Sequence, residues 1–349
     1  MEDDMSLLAI DVGAGTQDIL LYDEEVPLEG STKMVLPSQT VLVGDRINRA
    51  RMKGRDVYLT GPTMGGGACT AAVRWHLAAG LKVFATARAA ATINDNLERV
   101  AALGIEIQEE VPDNVDIIET GDIDLPALSR AFSIFDIDLP KDLAVAVQDH
   151  GFSPERSNRL VRFEHLAKAI RSGGSLMTFA FHEPPENMTR MKAVGDVLVD
   201  AGYRPLLMDT GPAAIFGAAQ DLPDDRPTII INFGNGHTVA AVLAFGRITG
   251  IFEHHTGELS CEKLRGFVNQ LGDGTIKNRE VFDDGGHGAY IDSVPGKIER
   301  IIVTGPRRQA FLASNAIKGA VAASPGGDMM ITGCIGLVEA WKRREELWR

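Results

Sequence analysis

The sequence predicts an α/β fold with two domains. At 349 residues the chain exceeds the usual size of one domain. Short apolar runs alternate with helical patterns, and the run at 143–147 is typical of a strand buried on both faces. A strand–turn–strand unit with spaced glycines occurs twice, once in each half of the chain. Together these three features favour a two-domain α/β architecture, and the length also allows a third domain.

Composition and charge exclude several classes of protein. Hydrophobic residues make up 44% and charged residues 24%, which are globular values and exclude a disordered chain. No apolar run approaches the roughly 18 residues that a membrane helix needs. A formal net charge of −13 predicts repulsion from phosphate backbones, so we expect no nucleic-acid partner. The acidic start, Met1 to Asp4, is unlike a secretory signal and predicts a cytoplasmic protein.

The cysteines give no sign of a cluster or a disulfide framework. Cys69, Cys261 and Cys334 are far apart, and none lies in a CxxC or CxxxCxxC pattern. We interpret them as small buried hydrophobic residues. A radical enzyme that carries its own iron–sulfur cluster is therefore excluded unless a second chain supplies ligands.

The repeated unit has the residue types of a phosphate-binding turn. Glycines let backbone N–H groups approach a phosphate, a hydroxyl adds a donor, and a carboxylate at the strand end can hold Mg²⁺. The first unit supplies Asp11, Gly13, Gly15 and Thr16, and the second supplies Asn232, Gly234, Gly236 and Thr238. Either turn alone is more simply interpreted as a Gly-rich hairpin. The pair, at domain-scale separation, favours a clamp on a triphosphate.

These motifs resemble those of the superfamily that includes actin, the sugar kinases and the heat-shock chaperone ATPases. The two turns are similar to its two phosphate motifs, and 301–305 is similar to its adenosine motif, ending at Gly305. The segments at 143–148 and 333–338 are similar to its two connecting segments. The resemblance implies two actin-like ATPase domains around a nucleotide cleft. It implies a first domain at 1–150, completed by a C-terminal helix at 335–349, and a second domain at 151–334.

The resemblance also implies ATP and Mg²⁺ as cofactors and assigns roles to individual residues. Asp11 is the expected magnesium ligand, and Gln148, on the first connecting segment, is expected to orient the attacking water. Asp149 is the competing candidate, because its carboxylate can accept a proton. The remaining expected nucleotide contacts are Gly13, Gly15, Thr16, Asn232, Gly234, Gly236, Thr238 and Gly305.

Two departures from the superfamily pattern bear on activity. Asn232 stands where an aspartate is usual, and Pro306 replaces the second glycine of the adenosine motif. An amide lacks the charge to hold hydrated Mg²⁺ strongly, and proline lacks an N–H. We therefore expect a slow, partner-regulated ATPase that activates or remodels another protein. A small-molecule kinase and a nucleotide-binding scaffold without turnover are the alternatives.

As a whole the chain resembles a prokaryotic family loosely labelled pyruvate formate-lyase activating enzyme-like. The cysteine pattern argues against taking that label literally.

The role of two further features is left open by the sequence. The glycine-rich stretch at 61–67, between a strand and a helix, fits either a tight turn or an anion site. His254 and His255 are interpreted as loop histidines, exposed or hydrogen-bonded, because neighbours in a strand would face opposite ways and rarely share a metal.

Overall fold

The computed structural model describes residues 5–348 and contains three β-sheets. Met1 to Asp4, on which the expectation of a cytoplasmic protein depends, lie outside the described residues, as does Arg349. The strands are β1 (Ser6–Val12), β2 (Thr16–Asp23), β3 (Thr32–Pro37), β4 (Val57–Thr60), β5 (Val83–Ala85), β6 (Ile105–Ile107), β7 (Asp116–Glu119), β8 (Asp142–Val147), β9 (Ala180–Phe181), β10 (Arg204–Asp209), β11 (Thr228–Phe233), β12 (His237–Ala244), β13 (Arg247–His255), β14 (Gly288–Ile291), β15 (Arg300–Thr304) and β16 (Val321–Ala322). The helices are α1 (Gln39–Met52), α2 (Gly67–Ala78), α3 (Ala87–Ala90), α4 (Leu97–Ala102), α5 (Leu125–Ser133), α6 (Asn158–Arg171), α7 (Thr189–Asp200), α8 (Thr210–Ala218), α9 (Cys261–Asp273), α10 (Asn278–Asp283), α11 (Arg308–Ala313) and α12 (Thr332–Lys342).

Two of the sheets have the same strand order. The first runs β3-β2-β1-β8-β10-β9, with β1 to β3 antiparallel and β8 and β10 parallel to β1. The second runs β14-β13-β12-β11-β15-β16, with β11 to β13 antiparallel and β15 and β16 parallel to β11. The same five-strand pattern therefore occurs twice. This duplicated, actin-like α/β architecture is the fold class that the sequence predicts.

Helices α6, α8 and α12 fill the space between these two sheets. Alternation along β1 sends Leu7 and Ala9 into this central core, whereas Leu8 and Ile10 pack on the outer face with residues of α5 and α7. Helices α8 and α12 touch backbone to backbone. A Cβ added at Gly217 would lie 1.8 Å from the carbonyl oxygen of Thr332, so only glycine allows this approach.

The third sheet belongs to a subdomain inserted between β3 and β8. Its four strands are all parallel, in the order β6-β5-β4-β7, and its core is separate from the cores of the two large sheets. The order reverses between β4 and β7, and in open parallel sheets this switch point is where ligands bind. The glycine-rich stretch at 61–67 follows β4 at that point.

The first large sheet extends past residue 150, because β10 pairs with β8 and ends at Asp209. The C-terminal helix α12 spans Thr332–Lys342 and contributes to the central core. The division into domains at 150 and 334 stays a prediction. Among the described residues, no helix combines the length and the apolar character that crossing a bilayer requires.

Candidate functional site

The two glycine turns have the same hydrogen bond and face each other. The Gly13 N–H donates to the Thr16 carbonyl at 2.8 Å, and the Gly234 N–H donates to the His237 carbonyl at 3.0 Å. A Cβ added at Gly15 would lie 2.9 Å from the Asn235 amide nitrogen. The hairpins that begin the two large sheets therefore meet tip to tip over the space between the sheets.

That space is a cleft of about 340 Å³, a volume typical of small-molecule sites. Most of the residues that the sequence assigns to the site line it, namely Asp11, Gly13, Thr16, Gln148, Asp149, Asn232, Gly234, Gly236 and Gly305. Gly15 and Thr238 are not among its lining residues. The buried Thr238 hydroxyl instead lies 3.0 Å from the Thr256 hydroxyl.

Two carboxyl groups form an acidic floor beneath the first turn. Asp11 and Asp18 are cross-strand partners on β1 and β2, and both line the cleft. Burial raises the pKa of Asp11 to about 7, although the Thr210 hydroxyl, which donates to Asp11 at 2.6 Å, opposes this shift. Burial and then the Asp11 charge raise the pKa of Asp18 to about 8. One Asp18 oxygen is buried without a partner among the described residues. No role for Asp18 was predicted from the sequence, although the register of the β1–β2 hairpin places this residue opposite Asp11.

Gln148 and Asp149, which follow β8, have different surroundings. The Gln148 amide donates to the Glu253 carboxylate at 2.6 Å inside the cleft. The Asp149 carboxylate accepts the backbone N–H groups of Gly151 and Met191 at 2.7 and 2.8 Å. Burial raises the pKa of Asp149. The oxygens of Asp149 thus secure the loop after β8 and the start of α7, whereas Gln148 lines the cleft and donates through its amide nitrogen.

A buried arginine joins the two large sheets below the cleft. Arg162 on α6 is 2% exposed and makes two hydrogen bonds with Asp209, at 2.5 and 3.1 Å. It also donates to Glu253 on β13 at 2.8 Å and to the Asp149 carbonyl at 3.0 Å. Burial alone would raise the pKa of Glu253, but the charge and hydrogen bond of Arg162, together with the neighbouring rings of His237 and His150, lower it. Sequence reasoning missed these residues, because no local motif marks them.

The end of β15 closes the cleft on the side of the second turn. Gly305 has φ of +93°, and a Cβ there would lie 2.5 Å from the Asn232 side-chain oxygen. Only glycine fits this combination of backbone conformation and close approach. Pro306 also lines the cleft and offers it no N–H.

The inserted subdomain supplies the opposite wall. The Gly65 to Gly67 stretch lines the cleft, ahead of and at the start of α2. Arg190 packs on Gly65 and pairs with the Asp122 carboxylate at 2.7 and 2.8 Å. Its remaining donor bonds the Gln148 carbonyl at 2.8 Å. Arg190 therefore links the loops of the inserted subdomain to the end of β8, where Gln148 lies.

Four histidine rings cluster at the end of the cleft near the second turn. His237 and His255 are cross-strand partners with ring centres 4.8 Å apart. His287 lies 4.8 and 4.9 Å from these two rings, and His150 lies 5.5 Å from His287. His254, on the opposite face of β13, is fully buried and lies 3.1 Å from Asp284. The interpretation of His254 and His255 as loop residues is wrong because β13 extends through both, although they do face opposite ways.

We expect Arg162→Met to destabilise the protein by about 3–5 kcal/mol, because Asp209 and Glu253 would stay buried without a cation. Burial would then raise the pKa of Glu253 above its unfolded value, so stability would fall as pH rises from 5 to 8. Urea unfolding at both pH values measures this loss. Adding Asp209→Asn and Glu253→Gln should recover much of it, and Arg156→Met, which removes an exposed ion pair with Glu164, should have little effect. An Arg162→Met loss no larger than that of Arg156→Met would contradict the assigned role.

Comparison with solved structures gives matches of low identity along most of the chain. The ethanolamine utilization protein EutJ from Carboxydothermus hydrogenoformans is 14% identical over 95% of this chain and 88% of its own, with a TM-score of 0.34. A Bacteroides thetaiotaomicron protein with an actin-like ATPase fold and unknown function is 6% identical over 96% of each chain, with a TM-score of 0.40. Component A of the Acidaminococcus fermentans (R)-2-hydroxyglutaryl-CoA dehydratase is 11% identical over 98% of this chain and 99% of its own, with a TM-score of 0.32. No curated protein sequence matches the chain.

The sequence of the chain matches the model of one protein family. The model described as "Putative pyruvate format-lyase activating enzyme (DUF1786)" matches residues 64–310. The match begins in the loop after β4 and ends in α11, so it includes the Gln148 strand end, the buried arginine, the second glycine turn and all four clustered histidines. It covers well over half of the 349 residues. The chain belongs to the DUF1786 family.

Proposed function

We propose that the protein binds Mg-ATP in the cleft between its two large sheets and hydrolyses it slowly under the control of a partner protein. The observation that carries this proposal is the pair of glycine turns, which have the same hydrogen bond and meet above an acidic floor. The glycines of each turn leave the backbone without a Cβ at these positions, and a Gly-rich turn of this kind can present N–H groups to phosphate oxygens. Two such turns hold a triphosphate from both sides.

The acidic floor fits a divalent cation. The half-buried Asp11 and the buried Asp18 are neighbouring carboxyl groups with raised pKa values, and one Asp18 oxygen has no partner among the described residues. Carboxylate oxygens are the ligands that Mg²⁺ prefers. Asp11 and Asp18 would hold the ion, and bound Mg²⁺ would offset the charge of the phosphates. Asn232 stands at the equivalent place in the second sheet and brings no charge.

Slow turnover follows from the groups available to position water. Gln148 lines the cleft and its nitrogen is held by Glu253, so its amide oxygen can accept a hydrogen bond from a water molecule. An amide is not an effective base at neutral pH. Glu253 is ionised but already paired with Arg162, which weakens it as a base. Without a stronger general base, hydrolysis would depend on how well Gln148 positions the attacking water, and we therefore expect it to be slow.

Partner control is supported by the mouth of the cleft. Trp75 on α2 is 56% exposed, and with Arg74 it lines a pocket next to Gly66 and Gly67 of the cleft wall. Exposed tryptophan and arginine are enriched where proteins bind one another. The family description names an activating enzyme, so the partner we propose is an enzyme that this chain activates or remodels.

Cluster-based radical chemistry does not fit the chain. Cys69 lies in the core of the inserted subdomain, Cys334 lies in the central core, and Cys261 is exposed at the start of α9. Burial raises the pKa of the Cys69 thiol to about 12. Within the described residues no group of metal-ligating side chains includes a cysteine. We derive no step through an iron–sulfur cluster.

A small-molecule kinase is the second candidate, favoured by the glycine-rich wall of the inserted subdomain. The pocket beside that wall, lined by Thr70 and Arg74, is a place for an acceptor next to the cleft. A kinase would leave a phosphorylated small molecule, whereas an ATPase would release inorganic phosphate. A scaffold would bind ATP and release neither.

Gly236→Val tests the binding site directly. A Cβ at Gly236 would lie 3.6 Å from the Ala14 Cβ, an ordinary van der Waals contact, and the two methyl groups of valine would extend beyond it into the space between the turns. We expect calorimetry to show at least about a tenfold loss of Mg-ATP affinity, or 1.4 kcal/mol. Gly257→Val is the matched control, because Gly257 lies in open space outside the cleft. Equal ATP affinity of wild type and Gly236→Val would contradict the clamp.

The Gln148→Ala variant tests whether Gln148 orients the water that attacks ATP. Removing the amide that orients water should lower single-turnover hydrolysis on the order of 10- to 100-fold and leave ATP affinity nearly unchanged. Asp149→Asn removes a possible base and should act mainly on stability, because the carboxylate holds two backbone N–H groups. If Asp149→Asn abolishes turnover and Gln148→Ala does not, a general-base mechanism replaces the positional one.

A further inference from the structure

Three histidines from distant parts of the chain bring their ring nitrogens close together. His150 follows β8, His237 begins β12, and His287 immediately precedes β14. One ring nitrogen from each lies within 4.8 Å of those of the other two. His150 and His237 line the cleft, so this centre is open to it on one side. The fold, and no local sequence pattern, brings these side chains together.

His287 supplies a second and independent observation. Its side chain is fully buried, and neither ring nitrogen has a hydrogen-bond partner among the described residues. A buried polar group without a partner costs free energy, so such groups are rare in folded proteins. An ion bound by one ring nitrogen would remove part of that cost.

The charges and burial around the three histidines favour neutral imidazole rings and a bound cation. Burial lowers the pKa of all three rings, to about 4 for His237, so their lone pairs are free at neutral pH. Glu253 faces His150 and His237. Asp209 and Glu253 carry two negative charges against the single positive charge of Arg162. Arg159 also acts on His287, but its guanidinium is held by the Gly286 carbonyl at 2.7 Å.

We infer that His150, His237 and His287 form a binding site for a divalent transition metal ion of the zinc class, with an open coordination position towards the cleft. Three neutral imidazoles select zinc, cobalt, nickel or copper over magnesium and calcium, which prefer oxygen. Zn–N bonds of about 2.0–2.1 Å place tetrahedral ligand nitrogens about 3.3–3.5 Å apart. Here the ring nitrogens lie within 4.8 Å of one another, so binding requires ring rotations that bring them closer by up to about 1.4 Å. Three protein ligands with one open position are typical of sites that bind a substrate oxygen or water.

This site is separate from the proposed magnesium site. The ligand set on the acidic floor consists of oxygens, below the first turn, whereas the histidines cluster around the second turn. The inference concerns metal binding by the chain itself and does not depend on ATP binding or turnover. Failure of one proposal therefore leaves the other intact.

The test is metal titration of the full chain after chelator treatment. We expect one Zn²⁺ per chain by elemental analysis, in the presence of excess Mg²⁺, and a visible Co²⁺ spectrum with the intensity of a four- or five-coordinate ion. His287→Gln should weaken Zn²⁺ binding more than about 100-fold, since loss of an outer partner alone costs up to that amount. His150→Gln, at a half-buried ring, provides a second variant if the buried substitution prevents folding.

His254→Gln is the matched control, because His254 is the neighbour of His255 in sequence but faces away from the cluster and bonds Asp284. It should bind one Zn²⁺ with unchanged affinity. Circular dichroism establishes that each variant is folded. The inference would be overturned if the wild type bound no stoichiometric Zn²⁺, or if the His287→Gln and His150→Gln variants bound it as tightly as His254→Gln did.

Discussion

A guanidinium buried away from water must find its hydrogen bonds within the protein, and at Arg162 those bonds join the two halves of the fold. Asp209 at the end of β10 and Glu253 on β13 belong to different sheets, and both accept from this one side chain. Removing Arg162 would leave two carboxylates in the interior without a cation, and removing either carboxylate would leave part of the guanidinium without its hydrogen bonds. At the base of the cleft, the ion pairs of Arg162 therefore hold the two sheets together. At the opposite side the two hairpin tips touch, and glycine at position 15 allows that contact.

Glu253 connects this constraint to the chemistry of the cleft. The carboxylate that receives Arg162 also holds the Gln148 amide at 2.6 Å, and its charge acts on His150 and His237. The strand end that we expect to position water and the histidine cluster thus share one buried anion.

The parts of this site that could be predicted are those encoded locally. Each glycine turn lies within one hairpin, so the sequence alone indicates the strand, the turn and the residues at its tip. The opposite faces of His254 and His255 likewise follow from the period of a strand. Arg162 and Glu253 are 91 residues apart, and His150 and His287 are even further apart along the chain. Their meeting is set by sheet order, which no local pattern contains.

Amide hydrogen exchange on the full chain tests the central claim most directly, because it reports on both turns at once. The account predicts that Mg-ATP slows exchange at 12–17 and at 233–238 together, with no change in α9 on the far side of the second sheet. Because the turns belong to separate hairpins, a ligand bound at one turn alone should protect that turn much more than the other. Protection of a single turn, or of neither at saturating Mg-ATP, would contradict a nucleotide clamp.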